Sequence, residues 1–185
     1  MAVAAVICST LLAGCSQSVS PPLVGPHGQE MGKTATSSAP PSITRPPSRS
    51  QVVSQVVSGW LAAETAFGDA ARTSDPDAPE LAATTIDPQL AWTRSLLERM
   101  DASGQIAKGP VHFGTPHVIA LHGDEATVRT CARDAEIVIF AASGRAAPGI
   151  LGQADYELFT SAMRQTEGGW KLLTQEVGVG QCTRL

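Results

Sequence analysis

Apolar side chains recur at helical spacing directly after residue 50. From Val53 to Phe67 they follow the i, i+3, i+4, i+7 rule and so share one face of a helix, and Glu64 falls in the same row. We expect this helix to run from Gln51 to Arg72, because Ser74-Asp75-Pro76 breaks the pattern.

Two shorter helices should follow the first. Asp77-Ala78-Pro79-Glu80 predicts a capping box that opens a helix to about Thr84. Asp87-Pro88 predicts a third helix, with the aspartate as N-cap and the proline at the first helical position. Gly104 suits a left-handed terminator near the end of that helix.

The second half of the chain changes to the short apolar and alternating stretches of β-strands, separated by Gly-containing turn signals. Five strands are predicted: Val111–Leu121 with an interruption at Gly114-Thr115-Pro116, Ala126–Ala132, Glu136–Ala142, Gln153–Gln165 and Trp170–Val179. Helices first and hairpin-linked strands second predict an α+β domain, with the N-terminal helices packed on a curved antiparallel sheet. Residues 51–185 suffice for one such domain with one core.

This order of elements resembles the nuclear transport factor 2-like superfamily of cone-shaped domains. The Gly-Gly-Trp-Lys-Leu run at 168–172 is similar to the turn before the final strand of many members, and a long first helix is also shared. The resemblance implies a sheet that wraps around the helices and leaves a pocket. Some members use that pocket for isomerase or dehydratase chemistry, and many others only bind or hold partners.

The N-terminus carries a separate signal. Ala2 to Ala13 is apolar and uncharged, but too short to span a bilayer as a helix. It fits the apolar core of a secretory signal, and Leu12-Ala13-Gly14-Cys15 resembles the lipobox of bacterial lipoproteins. The resemblance implies that residues 1–14 are removed and that Cys15 carries the lipid. The alternative is a buried N-terminal helix of the domain.

Residues 15–50 predict a disordered linker rich in proline and serine, without apolar periodicity. Together, the lipobox, the linker and the domain look like an actinobacterial envelope lipoprotein, held on the extracytoplasmic face of the cell membrane. From Ser50 onward, ten basic and sixteen acidic side chains give a net charge of −6. This balance argues against nucleic-acid binding and leaves the lipid as the membrane contact.

Cysteine usage fits an exported protein. Cys8 lies in the predicted signal and Cys15 would be lipidated, which leaves Cys131 and Cys182 as an even pair in an oxidising compartment. We expect these two to form a disulfide; the alternative is two unpaired buried thiols. The chain contains no Cys-x-x-Cys motif for zinc or redox chemistry.

Histidines and carboxylates are the remaining candidates for chemistry. His112, His117 and His122 lie five residues apart, a spacing that alternates faces on a strand, so we expect no metal site and no cofactor. Asp134, Glu136 and Asp155 are the carboxylates considered for an acid–base role, and Asp134 and Asp155 are the preferred pair. Six aromatic residues are candidates to line a pocket or, alternatively, to form ordinary core: Trp60, Trp92, Phe113, Phe140, Tyr156 and Phe159.

Two functions therefore remain at the level of sequence, and we expect the first, binding without catalysis, with the enzyme as the alternative. The first is a lipoprotein domain that binds an envelope protein or a small apolar ligand without catalysis. The second is a small-molecule enzyme of the isomerase or dehydratase type that uses a pocket carboxylate. A buried Asp or Glu in a cavity of several hundred Å³ would favour the enzyme.

The lipobox resemblance predicts where the protein resides. Expressed in its native host, the wild type should partition with membranes and enter detergent, whereas Cys15→Ala should be released or left unprocessed. Membrane fractionation followed by immunoblotting checks this. Equal partitioning of the two proteins would contradict lipidation at Cys15.

Overall fold

The computed structural model describes residues 46–147, 156–179 and 182, all of which belong to one compact unit, Thr44–Leu185. The predicted signal, Cys15 and most of the linker lie outside the described residues. Among the helices that the structure describes, none combines the length and the apolarity needed to cross a bilayer.

Three helices open the domain: α1 (Arg49–Thr73), α2 (Pro79–Thr84) and α3 (Gln89–Ala102). A capping box that the sequence reading missed starts α1. The Ser48 side chain accepts from the Gln51 backbone N–H, and the Gln51 side chain accepts from the Ser48 N–H. The helix ends at Ser74, which adopts the left-handed conformation.

The capping box predicted for α2 is wrong. The N-cap is Ala78, one residue after the predicted Asp77, and its methyl side chain cannot accept a hydrogen bond. The Asp77 backbone N–H donates to the Asp75 carboxylate at 2.9 Å in a local turn before the helix. At α3 the N-cap is Pro88, one residue later than predicted, but the Asp87 carboxylate still accepts a first-turn N–H, that of Ala91, at 3.1 Å.

Seven strands follow the helices: β1 (Gln105–Lys108), β2 (Val111–Phe113), β3 (His117–His122), β4 (Glu125–Asp134), β5 (Ile137–Phe140), β6 (Tyr156–Thr166) and β7 (Gly169–Val179). The main sheet is antiparallel, with β4 paired to β2 and β3 on one side and to β6 on the other, and β6 paired to β7. It curls strongly around α1. The predicted α+β class and order of elements are therefore confirmed.

The strand predicted at Glu136–Ala142 does not continue the meander. Both edges of β4 are already occupied, so β5 has no place beside it and pairs with β1 in a separate two-stranded sheet. The sequence reading missed β1, whose four residues are too few to show alternation.

Helix α1 contributes to both clusters of the core. Its N-terminal half packs Val56, Trp60 and Ala63 against the main sheet, and its C-terminal half packs Ala66 and Ala70 towards α3, β1 and β5. The approach to the sheet is close: a Cβ at Gly59 would overlap the carbonyl oxygen of Trp170. This contact fixes how deeply α1 sits in the curl of the sheet.

The predicted disulfide between Cys131 and Cys182 is present, with a Cα–Cα distance of 5.9 Å. It ties β4 to the chain just beyond β7 and closes a loop across 51 positions. A loop of this size implies a contribution of roughly 3–4.5 kcal/mol to the free energy of unfolding.

Candidate functional site

A groove of about 480 Å³ opens between α1, the start of α3 and the inner face of the main sheet. We call it the Glu64 groove. Apolar and aromatic side chains form the larger part of its wall: Phe67, Trp92, Val111, Phe113, Phe159 and Val177. The polar residues of the lining are Glu64, Thr65, Asp69, Arg72, Glu136 and Gln175. A concave, mostly apolar site with few polar groups is the usual form of a small-molecule pocket.

Glu64 enters the interior because of its place on α1. It lies one helical turn after Trp60, which is fully buried, so both side chains project towards the sheet. Its carboxyl group accepts a hydrogen bond from the Gln175 side-chain amide. Burial raises the pKa of the Glu64 carboxyl to about 7, while the Gln175 hydrogen bond opposes that rise.

Gln175 is held in place by hydrogen bonds to Glu64, Ser161 and Gln89. Its side-chain Nε2 also donates to the Ser161 hydroxyl at 3.2 Å, and its backbone N–H donates to the Gln89 side chain at 3.0 Å. Ser161 in turn accepts the Trp60 indole N–H at 3.0 Å. The result is a continuous polar network inside an apolar core, which holds the amide against the carboxyl group.

A β-bulge turns Gln175 inwards. The pairing of β6 with β7 shifts register between Ala162 and Met163, so that Leu173 has no partner on β6. Without this extra residue, Leu172 and Gln175 would face opposite sides of the sheet, because they are three positions apart. With it, both side chains face α1.

A second, smaller space of about 20 Å³ also borders Glu64, between the three helices and β7. Thr85, Gln89, Thr93 and Leu172 help to line it. Its volume is comparable to the space of one water molecule. Glu64 thus lines both a one-water recess and an open groove.

Gly68 keeps the groove open. It lies in the interior of α1 and lines the groove, and a Cβ built there would meet no other atom within 4 Å. Glycine in a helix interior costs about 0.5–1 kcal/mol relative to alanine. The helix therefore carries a destabilising residue at a position where a side chain would project into the groove.

The structure brings together three of the six aromatic residues proposed as pocket lining. Phe113 and Phe159 line the groove in an edge-to-face pair with ring centroids 5.5 Å apart, and Trp92 stands at its rim, 56% exposed. Trp60 lies beneath them in the core, 5.0 Å from Phe113. The remaining two lie apart: Phe140 packs against the core cluster beside β5, and Tyr156 starts β6.

Of the carboxylates singled out from sequence, Glu136 is half-buried and lines the groove. Asp134 ends β4, opposite Val111, but its side chain lies outside what the structure describes, as does the whole of Asp155. The buried acid is Glu64, which sequence reasoning did not consider for chemistry. Its position in the apolar row of α1, between Trp60 and Phe67, was the feature of the sequence that could have indicated a carboxyl group facing the core.

The three domain histidines stay away from the groove. His112, His117 and His122 are exposed on β2 and β3. Within the described residues, no three side chains of His, Cys, Asp or Glu come together in a group that would hold a metal ion.

No protein-family model matches the chain, and no curated protein matches it. Solved structures do resemble it. A ketosteroid isomerase-like protein from Erwinia carotovora atroseptica has a TM-score of 0.48 and 15% identity, with 70% of this chain and 97% of that one covered. An NTF2-like protein with a cystatin-like fold from Novosphingobium aromaticivorans has a TM-score of 0.43 and 16% identity, covering 70% and 84%.

The intermembrane space region of the chloroplast protein ARC6 is a further structural neighbour, with a TM-score of 0.47, 13% identity and coverage of 74% and 100%. These similarities concern the arrangement of helices and strands and carry no argument about activity. The described residues form an α+β domain in which the helices pack on a strongly curled antiparallel sheet.

The raised pKa of Glu64 predicts a pH-dependent cost in stability. An unfolded glutamate ionises near pH 4.5, whereas Glu64 in the folded domain keeps its proton up to about pH 7. The folded state therefore binds the extra proton between these values. The stability that this proton contributes is fully present below pH 4.5 and is lost as the pH rises through 7, and it amounts to about 3 kcal/mol.

Glu64→Gln should remove this dependence. Relative to wild type, the variant should gain stability steadily from about pH 4 to about pH 8, as measured by urea unfolding across that range. Glu98→Gln, at an exposed position on α3, is the matched control and should run parallel to wild type. A Glu64→Gln curve that also runs parallel to wild type would contradict the burial argument.

Proposed function

We propose that the domain binds a small, largely apolar molecule that carries one hydrogen-bonding oxygen, with the oxygen placed at Glu64. The single observation that carries the proposal is the buried carboxyl group at the floor of an open apolar groove. With its pKa near 7, this group is about half protonated at neutral pH and largely protonated below it, and in the protonated form it donates to a carbonyl or hydroxyl oxygen.

The side chains that line the Glu64 groove suit a ligand that is mostly apolar. Phe113, Phe159 and Val177 offer aromatic and aliphatic surface, and the exposed ring of Trp92 adds a flat face at the rim. Asp69 and Arg72, which also line the groove, pair with each other on α1, and the half-buried Glu136 is a further acidic residue of the lining. The lining thus carries acidic groups and one cation that is already paired, which favours a neutral molecule over an anion.

The place of action is part of the proposal. With Cys15 lipidated, the linker would hold the domain on the extracytoplasmic face of the membrane, where it would meet apolar molecules of the envelope. Binding of an envelope protein is the other ligand class that the sequence left open. The exposed large apolar side chains among the described residues are Leu61, Trp92, Ile119 and Val177, and two of them, Trp92 and Val177, line the Glu64 groove.

Gly68 offers a direct test. Gly68→Leu should fill the groove and weaken binding of the neutral dye N-phenylnaphthylamine at least tenfold, because the new side chain would occupy the ligand space. The same change should raise the melting temperature, since it improves the helix propensity of α1. Dye fluorescence titration and thermal unfolding of the full-length protein measure both effects.

Ala62→Leu, an exposed position on the same helix outside the groove, is the matched control and should leave dye binding unchanged. Unaltered binding in Gly68→Leu, or no dye binding by the wild type, would refute a ligand site in the Glu64 groove.

A second candidate function is proton transfer on the bound molecule. One observation favours it: a carboxyl group with a pKa near 7 is well matched to both taking and giving a proton at neutral pH. On this reading, Glu64 abstracts a proton from carbon next to a carbonyl group and returns it at another position.

Heavy-water exchange separates catalysis from binding. If Glu64 transfers protons, wild-type protein should accelerate deuterium incorporation next to the carbonyl of cyclohexanone, followed by NMR. Glu64→Gln should reduce the rate at least a hundredfold, the usual scale of general acid–base catalysis, while still binding N-phenylnaphthylamine. Equal exchange rates with both proteins would leave ligand binding as the function.

A further inference from the structure

We propose that the ligand of the Glu64 groove is elongated, and that its apolar end passes Phe67 into a second compartment lined by Leu96, Met100 and Val138. This inference rests on the proposed function and specifies the class of ligand: a long, mostly aliphatic molecule with its oxygen at one end. Phe67 is the residue that would set the accepted length.

The two spaces are neighbours that share walls. A cavity of about 340 Å³ lies between α1, α3, β1 and β5, and both Phe67 and Glu136 line it as well as the Glu64 groove. Phe67 also lines the one-water recess. This half-buried ring thus stands where the spaces meet, and its rotation is the simplest motion that would join them.

Helix α1 runs along both compartments. Glu64, Phe67 and Ala71 follow the i, i+3, i+7 spacing, so they form one row on the helix surface, and the last of these lines the second compartment. At 1.5 Å per residue, the row from Glu64 to Ala71 extends for about 10 Å. A ligand lying along this row would reach from the carboxyl group into the second compartment.

The chemistry of the second compartment is that of an alkyl-chain site. Leu96, Met100, Ala107 and Val138 supply aliphatic walls, and an unbranched methionine adapts its shape to different occupants. The polar residues Arg99 and Gln105 also line it, and Arg99 is exposed. Glu136 lines this compartment as well as the Glu64 groove, whereas Glu64 lines the groove and not this compartment. A ligand whose oxygen lies at Glu64 therefore places its apolar end here.

The test is a chain-length series. Straight-chain methyl ketones from butanone to dodecanone are titrated against the full-length protein loaded with N-phenylnaphthylamine. In the wild type, affinity should rise about fourfold for each added methylene, as expected for burial of alkyl surface, and should keep rising for chains longer than the Glu64 groove alone can cover.

Leu96→Phe should block the second compartment from its half-buried wall on α3. Dodecanone should bind this variant at least tenfold more weakly than wild type, while butanone should bind both equally. Leu61→Phe, the same change at an exposed position on α1 outside both compartments, is the control and should leave the whole series unchanged.

Phe67→Ala provides a second variant with the opposite sign. Removing the ring should join the compartments and strengthen dodecanone binding relative to butanone. If short ketones bind but affinity stops rising before the long ones, or if Leu96→Phe weakens short and long ketones equally, the second compartment is refuted and the Glu64 site stands. If no ketone displaces the dye from any protein, the proposed function itself fails.

Discussion

The close packing of α1 against the inner face of the sheet determines most of what this domain can do. Gly59 lets the helix backbone approach Trp170, and this approach buries the whole side chain of Trp60. Its indole N–H is then satisfied by Ser161, so a shift of the helix would leave a buried donor without a partner. With α1 fixed in this way, the next turn of the helix carries Glu64 towards the interior, where burial raises the pKa of its carboxyl group.

Several features of the Glu64 groove lower stability rather than raise it. The environment of Glu64 favours the neutral form of its carboxyl group. Gly68 is a poor helix former in the interior of α1, and Trp92 exposes more than half of a large apolar side chain. Natural proteins tend to break local rules of stability at functional sites. A ligand that hydrogen-bonds to Glu64 and covers Trp92 would give all three features one physical reason.

The small sheet of β1 and β5 helps to form the second compartment beside α1. It branches off because β4 has strands on both edges, and it then lies against α1 and α3 instead of extending the main sheet. Ala107 and Val138, one from each of its strands, join the core there and line the second compartment. Helix α1 therefore packs against the main sheet along one part of its length and against the β1–β5 sheet along the other. The Glu64 groove lies beside the first sheet, and the second compartment lies beside the other.

Much of the fold followed from the sequence alone. The row from Val53 to Phe67 predicted α1, and the alternating stretches predicted most strands. The even number of thiols left after export predicted the Cys131–Cys182 bond. Periodicity and cysteine number are properties of the chain itself.

What the sequence did not determine depends on contacts between distant segments. The bulge at Leu173 arises only where β6 meets β7, and it decides that Gln175 faces inwards. The occupied edges of β4 likewise decide where β5 pairs. Glu64 was visible as a carboxylate in an apolar row, but the low polarity around it is created by packing from α3, β2, β6 and β7, so only the tertiary structure made it the centre of the site.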